Sequence, residues 1–448
     1  MNDNMKFSNF NIVLKGPFSN KNYIYNSLAG IQSLRIITEE ELDKYYNCKI
    51  NELDYYFKKY LIQYGMILDE SINEETKYNL KKNSFLTNSS LTIVIMPTED
   101  CNFRCSYCYQ ENNLGAMKPE TIDGIINYIR KNIFKFTSIH INWFGGEPLL
   151  AIKKIEKVSF EIKKICKNTC RPFSANIITN GYLLNTENMK RLIKCGVTSF
   201  QITLDGDEIS HNKSRFLYGG KSTYNEIIKN LIDIKESIKN RGIRIIIRVN
   251  FLNSMLQNTQ NIIKNIDQLF GKDNRFSMYF RPVGNWGGNR VKKINKDELL
   301  EGEKFKKVYS AVYNLRPRIK FTLFEDLLFS PLCTSAKIND FVIGADGTIY
   351  KCTCHFDLEI NKVGKLLSNG DLEYNQNIYL WFNFEEFNNC SQCSNRGDCM
   401  TMTCPFNYHF NYLQMIKSEC YYEKKYVSCT LDILNLDNHI RNIERGDD

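Results

Sequence analysis

The chain has no apolar run of membrane length, for which about 20 consecutive apolar residues are needed. Its start, Met1-Asn-Asp-Asn-Met-Lys6, lacks the apolar stretch of a secretory signal. These absences point to a cytoplasmic protein without a membrane partner. No block of basic residues reaches the length of a nucleic-acid tail, and a net charge of +9 over 448 residues is modest, so no nucleic-acid partner is expected. Residues 1–88 carry equal numbers of acidic and basic side chains, which leaves the excess in 89–448. No internal repeat of fixed period is evident. What the chain does have is cysteine, 16 in all, and in a reducing compartment so many thiols argue for metal ligation rather than disulfides. The remaining composition, 43% hydrophobic and 24% charged, is that of a soluble globular protein. The length suggests two or three domains.

Periodicity divides the chain. In residues 1–88, Ile12-Val-Leu14 and Tyr23-Ile-Tyr25 are short strand candidates, and Ile50, Leu53, Phe57, Leu61 and Tyr64 recur at helical spacing. Gly65 stops that helix, and Met66-Ile-Leu68 reads as a further strand. This order fits a winged-helix-like module; a solvated cap with no binding role would read the same way. Residues 89–300 alternate strands, at 91–96, 139–143, 175–179, 200–204, 243–250 and 276–280, with helical stretches such as 121–134, 188–195 and 224–239. Six βα units imply an α/β fold, a parallel sheet curved into a partial (β/α)6 barrel. The active site of such a fold lies at the C-terminal ends of the strands. Residues 301–332 form a bridging segment. From 333 to 448 cysteines become dense and periodicity weakens, so this domain is expected to rely on bound metal for order.

The most informative motif follows the first barrel strand. Cys101, Cys105 and Cys108 sit in the run Met96-Pro-Thr-Glu-Asp-Cys-Asn-Phe-Arg-Cys-Ser-Tyr-Cys-Tyr109, with spacing Cys-x3-Cys-x2-Cys. Three thiolates this close can hold three irons of a [4Fe–4S] cluster and leave the fourth open to a small chelating molecule. A structural zinc site wants four ligands, and no fourth Cys or His lies nearby. One βα unit later comes Trp143-Phe-Gly-Gly-Glu-Pro148, a turn that offers two residues without a Cβ and a carboxylate. Thr179-Asn-Gly181 and Thr203-Leu-Asp-Gly206 end the next two strands with polar groups. Asn-Gly and Asp-Gly also favour tight turns for purely local reasons.

With these motifs in this order the chain resembles the radical S-adenosylmethionine (SAM) enzymes. The resemblance implies a SAM-binding [4Fe–4S] cluster on Cys101, Cys105 and Cys108. It implies SAM contacts from Gly145, Gly146 and Glu147, the last to the methionine ammonium, and from Asn180 and Asp205. Tyr107 takes the aromatic position whose backbone meets adenine. Arg215, in a His211-x3-Arg215 stretch, is the residue implied for the SAM carboxylate, with Arg248 competing for that role. The chemistry implied is one-electron cleavage of SAM to a 5′-deoxyadenosyl radical that takes hydrogen from a C–H bond, while the protein positions the reactants. No residue is assigned as a catalytic acid or base.

The C-terminal cysteines resemble a SPASM domain, which carries two auxiliary [4Fe–4S] clusters. By that resemblance Cys333, Cys352 and Cys404 belong to the first, and Cys390, Cys393, Cys399 and Cys420 to the second. Cys354 is either the fourth ligand of the first cluster or a bystander. The family has three residues between the positions of Cys399 and Cys404, and here there are four. Cys-x2-Cys at 390–393 alone would also suit a zinc ribbon. Cys48, Cys166, Cys170, Cys195 and Cys429 match no ligand position.

From about residue 90 onward the resemblance is to radical SAM/SPASM oxidoreductases that modify peptides. It implies a maturase of ribosomally made precursor peptides, of the thioether-forming sactipeptide type found in bacteriocin biosynthesis. The implied partners are a precursor peptide with a leader, docked on the N-terminal module by strand addition, and an electron donor such as flavodoxin or ferredoxin. The alternative is an anaerobic sulfatase-maturing enzyme, which forms formylglycine. Against that stand the roughly one hundred residues before the triplet and Thr353, where those enzymes carry an Asp.

Overall fold

The computed structural model describes residues 4–47, 49–87, 89–111, 114–284, 287–299, 306–321, 333–382, 392–399 and 432. These fall into two compact units. One gathers the described residues of 1–88, 323–337 and 383–448; the other gathers those of 89–322 and 338–382. The cysteine-rich stretch expected as one domain over 333–448 is thus divided between both units. Among the described residues no helix is long and apolar enough to cross a membrane.

The first unit opens with β1 (Met5–Phe7), β2 (Asn11–Lys15), β3 (Asn22–Asn26) and β4 (Arg35–Ile37). Helices α1 (Glu39–Tyr46) and α2 (Tyr55–Gln63) follow, then β5 (Ile67–Asp69) and α3 (Glu74–Leu86). Strands β2, β3 and β4 form an antiparallel meander, and β1 pairs antiparallel with β5. Central β3 is buried along its whole length, so Tyr23-Ile-Tyr25 reads as a continuous apolar run rather than an alternation. The helical spacing from Ile50 predicts one helix, but α2 begins only at Tyr55. The Asp54 side chain accepts from the backbone N–H groups of Tyr56 and Phe57 and caps the helix there. Gly65 ends it with φ +66°, in the left-handed region. Phe57 and Leu61 then bury against Ile24, Ile37, Met66 and Ile67. Downstream chain completes this unit: Ala336 packs with Phe10, Leu28 and Tyr78.

The second unit alternates β6 (Leu91–Ile95), α4 (Pro119–Asn132), β7 (Ile139–Trp143), α5 (Ile152–Asn168), β8 (Phe173–Thr179), α6 (Thr186–Lys194) and β9 (Val197–Thr203). It continues with α7 (Glu208–Ser214), α8 (Tyr224–Ser237), β10 (Arg244–Phe251), α9 (Thr259–Phe270) and β11 (Phe276–Pro282). Helix α10 (Lys306–Leu315) leads to β12 (Lys320–Phe321), and the segment ends in β13 (Asp340–Ile343), β14 (Thr348–Tyr350), β15 (Lys362–Leu366) and β16 (Leu372–Tyr374). The sheet runs β12-β11-β10-β9-β8-β7-β6-β13-β14-β15-β16. Pairing is parallel from β12 to β13 and antiparallel from β13 to β16. The six βα strands are therefore flanked by β12, from the bridging segment, and by a meander built from chain beyond Cys333. Gly347, with φ +89°, makes the turn from β13 to β14.

Residues of one parity along the six strands, among them Ile93, Ile141, Ile177, Phe200, Ile247 and Met278, are almost wholly buried. Each such side chain contributes roughly 1.5–3 kcal/mol by leaving water. Those of the other parity include Thr92, His140, Asn142, Asn176, Gln201, Arg248 and Tyr279, and they are only half-buried. A closed (β/α)8 barrel fills its interior with branched apolar side chains. Here the inner face is polar and open, as a partial barrel requires if a ligand is to lie on it.

Candidate active site: a cysteine loop at the strand ends

The loop bearing Cys101, Cys105 and Cys108 begins six residues after β6 ends, at the C-terminal edge of the sheet. Two neighbouring segments hold its backbone. On one side the turn after β7 pairs with it: Gly146 N–H donates to Thr98 O at 3.2 Å and Glu147 N–H to Asp100 O at 2.8 Å. A Cβ on Gly145 would stand 2.3 Å from Thr98 O, and one on Gly146 2.2 Å from Asp100 O. The two glycines thus permit close approach to the cysteine loop's own backbone. On the other side the chain after α7 runs antiparallel to the loop. Arg104 N–H donates to Phe216 O, Ser106 N–H to Ser214 O and Tyr218 N–H to Asn102 O, each at 2.8–2.9 Å.

Glu147 is fully buried. Its carboxylate accepts from Leu149 N at 3.0 Å, Thr179 Oγ1 at 2.7 Å and Asn180 N at 2.7 Å, tying the end of β7 to the end of β8. Burial raises its pKa, opposed by those same donors. The Asn180 side chain continues the brace, donating to Asn102 Oδ1 at 2.8 Å.

A second network joins Tyr107, Asp205 and Arg215. The Tyr107 phenol donates to Asp205, and accepts from Arg215 Nη1 at 2.8 Å and Asn250 Nδ2 at 3.1 Å. Asn250, at the end of β10, also gives its backbone N–H to Asp205 at 3.0 Å. Burial pushes both Tyr107 and Asp205 upward, with the Arg215 guanidinium resisting the rise in each. Burial alone would lower Arg215, but Cys105, Tyr107 and Asp205 together raise it well above its ordinary value, so it stays charged. The Arg215 Nε is buried without a hydrogen-bond partner. Arg248, the competing arginine, lies on the inner face of β10 and donates to Asn250 Oδ1 at 2.8 Å.

His211 explains the His-x3-Arg spacing. Asp205 N–H donates to its Nδ1 at 3.1 Å, which makes Nε2 the protonated nitrogen, and that N–H reaches Thr223 Oγ1 at 3.0 Å. Thr223 in turn donates to Arg215 O at 2.8 Å. Burial lowers the imidazole to about 2, so the ring is neutral at physiological pH.

The three thiols fit an iron–sulfur group by their chemistry. Burial raises Cys101 to about 12 and Cys105 to about 11, so a thiolate here needs a cationic partner. Phe103 N–H points at Cys101 Sγ at 3.3 Å, the kind of backbone donor that tunes cluster sulfurs. Among the described residues no three His, Cys, Asp or Glu side chains form a site for a single metal ion. A cluster instead spreads its thiolates over separate irons.

Cys352 and Cys354 follow β14 in the same unit. Asn361, fully buried, staples their loop: its Oδ1 accepts from Cys352 N at 2.8 Å, and its Nδ2 donates to Cys352 O at 3.0 Å and Cys354 O at 2.8 Å. Cys354 N–H donates to Cys352 Sγ at 3.3 Å, as at Cys101. Cys333 and the half-buried Cys393 lie in the other unit, and Cys333 Sγ accepts from Ser335 Oγ at 3.1 Å. Cys399 ends the helical turn Arg396–Cys399. Cys390, Cys404 and Cys420 lie outside the described residues. The structure thus brings together Cys101, Cys105, Cys108, Tyr107, Gly145, Gly146, Glu147, Asn180, Asp205 and Arg215. Sequence reasoning assigned no role to Asn102, Asn250 or Asn361, and marked Thr179 only as part of a polar strand end. Asn250, polar at the end of an apolar strand, offered a signal, whereas Asn361 offered none.

A parallel sheet whose C-terminal edge carries such a cysteine loop, braced by a Gly-Gly-Glu turn, defines the α/β radical SAM fold. Residues 95–258 match the family model of the Radical SAM superfamily. A curated relative, the cysteine-type anaerobic sulfatase-maturating enzyme of Clostridium novyi (strain NT), is 26% identical over 333 residues, covering 68% of this chain and 85% of the relative. Among solved structures, native anSMEcpe with bound AdoMet superposes with a TM-score of 0.60 at 18% identity, over 79% of this chain and 100% of that one. Streptococcus suis SuiB bound to precursor peptide SuiA gives a TM-score of 0.50 at 16% identity, over 95% of this chain and 99% of that one.

Proposed function

We propose that this protein is a radical SAM oxidoreductase that modifies a ribosomally made precursor peptide, joining a cysteine sulfur to a carbon of the same peptide in a thioether. The observation that carries the reading is the placement of Cys101, Cys105 and Cys108 at the strand ends, above a polar and open inner face. With its cluster and SAM bound, the site would supply a carbon radical able to take hydrogen from an unactivated C–H bond. The protein's own residues do the positioning. Gly145, Gly146 and Glu147 fix the cysteine loop, and Asn180 links that brace to Asn102. Tyr107, Asp205 and the charged Arg215 form the polar wall beside Cys105, with Arg215 the group suited to the SAM carboxylate. Glu147 retains lone-pair capacity for the SAM ammonium beside its three protein donors.

Two auxiliary [4Fe–4S] clusters on the C-terminal cysteines would take up the surplus electron. An electron donor such as flavodoxin or ferredoxin would reduce the first cluster. A peptide substrate is supported by the SuiB structure, which holds a precursor peptide and matches this chain over nearly its whole length, N-terminal module included. The second reading, formylglycine formation, is favoured by the Clostridium novyi relative. Thr353 speaks against it, since it stands where an acidic residue would be needed.

The deciding experiment is anaerobic co-expression with a short cysteine-rich peptide encoded nearby, read by mass spectrometry. Each crosslink should leave the peptide lighter by two hydrogens and its thiols resistant to alkylation. Replacing Cys101, Cys105 and Cys108 together by Ala should abolish both this and SAM cleavage. Formylglycine in a sulfatase peptide, with the cysteine-rich peptide untouched, would decide for the second reading.

A further inference from the structure

The turn at Arg396–Cys399 does not stand alone. Arg396 is 5% exposed and its guanidinium grips Glu75 of α3 with two bonds, Nη1 to Oε2 at 2.6 Å and Nη2 to Oε1 at 2.9 Å. The same guanidinium lies 4.0 Å over the ring of Tyr78, one helical turn on. Lys81, a further turn along α3, donates to Gly397 O at 3.1 Å and Ser27 O at 3.0 Å. Ser27 Oγ donates to Ser394 O at 2.6 Å. A Cβ on Gly397 would stand 2.4 Å from Ser27 Oγ and 2.6 Å from Leu28 N. The Asp398 carboxylate is buried, and the Lys81 ammonium opposes the rise in pKa that burial gives it. Ser394, Arg396, Gly397 and Asp398 thus each have a named partner among residues 27–81. Asp432, also fully buried, adds another tie, accepting from Phe18 N at 2.8 Å and Tyr23 Oη at 2.8 Å.

We propose that the N-terminal module is one wall of the C-terminal metal site: α3 and the turn after β3 hold the Cys393–Cys399 segment in the shape that lets it ligate, with Glu75 as the main positioning residue. The inference rests on the reading of Cys393 and Cys399 as cluster ligands. A tight turn bound by a bidentate ion pair, a ring face and two backbone-directed donors has little freedom left, and ligands fixed in advance bind metal with less ordering cost. Coupling is reciprocal, so metal on the segment must also steady the module. Removal of residues 1–88 is then no neutral deletion, since it strips one side of the site.

Full-length protein reconstituted anaerobically with iron and sulfide provides the test, with iron counted and reduced-cluster spectra recorded. Wild type should hold more iron than one cluster. Glu75→Lys and Lys81→Met, acting on Arg396 and Gly397 respectively, should each lose about one [4Fe–4S] cluster of iron and its spectral signal. Uncoupled SAM cleavage at the first cluster should persist, and Glu75→Gln, which keeps an acceptor for Arg396, should recover most of the loss. In wild type, removing iron by chelation should also speed amide exchange across α3. Full iron and unaltered spectra in both Glu75→Lys and Lys81→Met would overturn the coupling and leave the auxiliary clusters standing. Wild type with only one cluster's iron would overturn both.

Discussion

His211 offers a perturbation whose size can be worked from the structure. The ring is fully buried, with Nδ1 accepting from Asp205 N–H and Nε2 donating to Thr223 Oγ1. Protonation would replace the accepting nitrogen by a donor that faces another donor, next to charged Arg215. The folded protein therefore disfavours the cation, and the pKa falls from its ordinary 6.5 to about 2. A basic group lowered on folding contributes stability that is whole above its unfolded pKa and is lost as pH falls towards the folded value. Between pH 7.5 and 5 the loss from this residue alone should be about 2 kcal/mol, since each pH unit below 6.5 removes close to 1.4 kcal/mol. The assay is urea unfolding of the metal-free protein at a series of pH values, comparing wild type with His211→Gln. Other titrating groups cancel in the difference. Wild type should lead at pH 7.5, and that lead should shrink by the stated amount at pH 5. A difference curve flat with pH would refute both the assigned tautomer and the depressed pKa.

Three further outcomes follow from the geometry. Gly146→Ala drives a methyl into the backbone carbonyls of Glu99 and Asp100; it should cost about 1–3 kcal/mol or more, seen in thermal unfolding, and lower the iron bound by the triplet. Glu147→Gln should reduce SAM affinity roughly tenfold at unchanged iron content, measured by calorimetry on the reconstituted protein; unchanged affinity would leave Glu147 as a strut between β7 and β8. Asn361→Leu strips the Cys352–Cys354 loop of its acceptor and two donors, and should destabilise by about 3 kcal/mol, with the melting temperature falling while the triplet's cluster signal persists.

The barrel was legible because its outward positions are so consistently apolar. The strand expected at 139–143 is β7 to the residue. Strand β9 starts at Val197, three residues before the expected 200, because Thr198 and Ser199 interrupt the apolar run while the pairing with β8 resumes past a register shift at Thr198. The cysteine triplet stood out by its spacing and context, and the structure sets it on one loop at the strand ends. The meander β13–β16 was not. Its strands are three to five residues long, too short for alternation to register, and Leu372-Glu-Tyr374 directly follows the turn sequence Ser368-Asn-Gly-Asp371. The purpose of the paired glycines needed coordinates as well, because the backbone they approach, Thr98 to Asp100, lies far upstream in the chain. Nor could the sequence announce that Glu75 and Arg396, 321 positions apart, form an ion pair.

The polar inner face of the sheet has a thermodynamic consequence for whatever binds there. Thr92, His140, Asn142, Asn176, Gln201 and Arg248 make a polar wall, and His140 is already bonded to Ser174 at 2.7 Å and Asn142 at 3.0 Å. A ligand laid on this wall buries polar groups against hydrogen bonds rather than removing hydrocarbon from solvent. Since exposure of polar surface changes heat capacity with the opposite sign to apolar surface, the two contributions offset each other. Titration calorimetry across temperature should then give an enthalpy that barely changes, for an area of contact that in an apolar groove would give a steep slope.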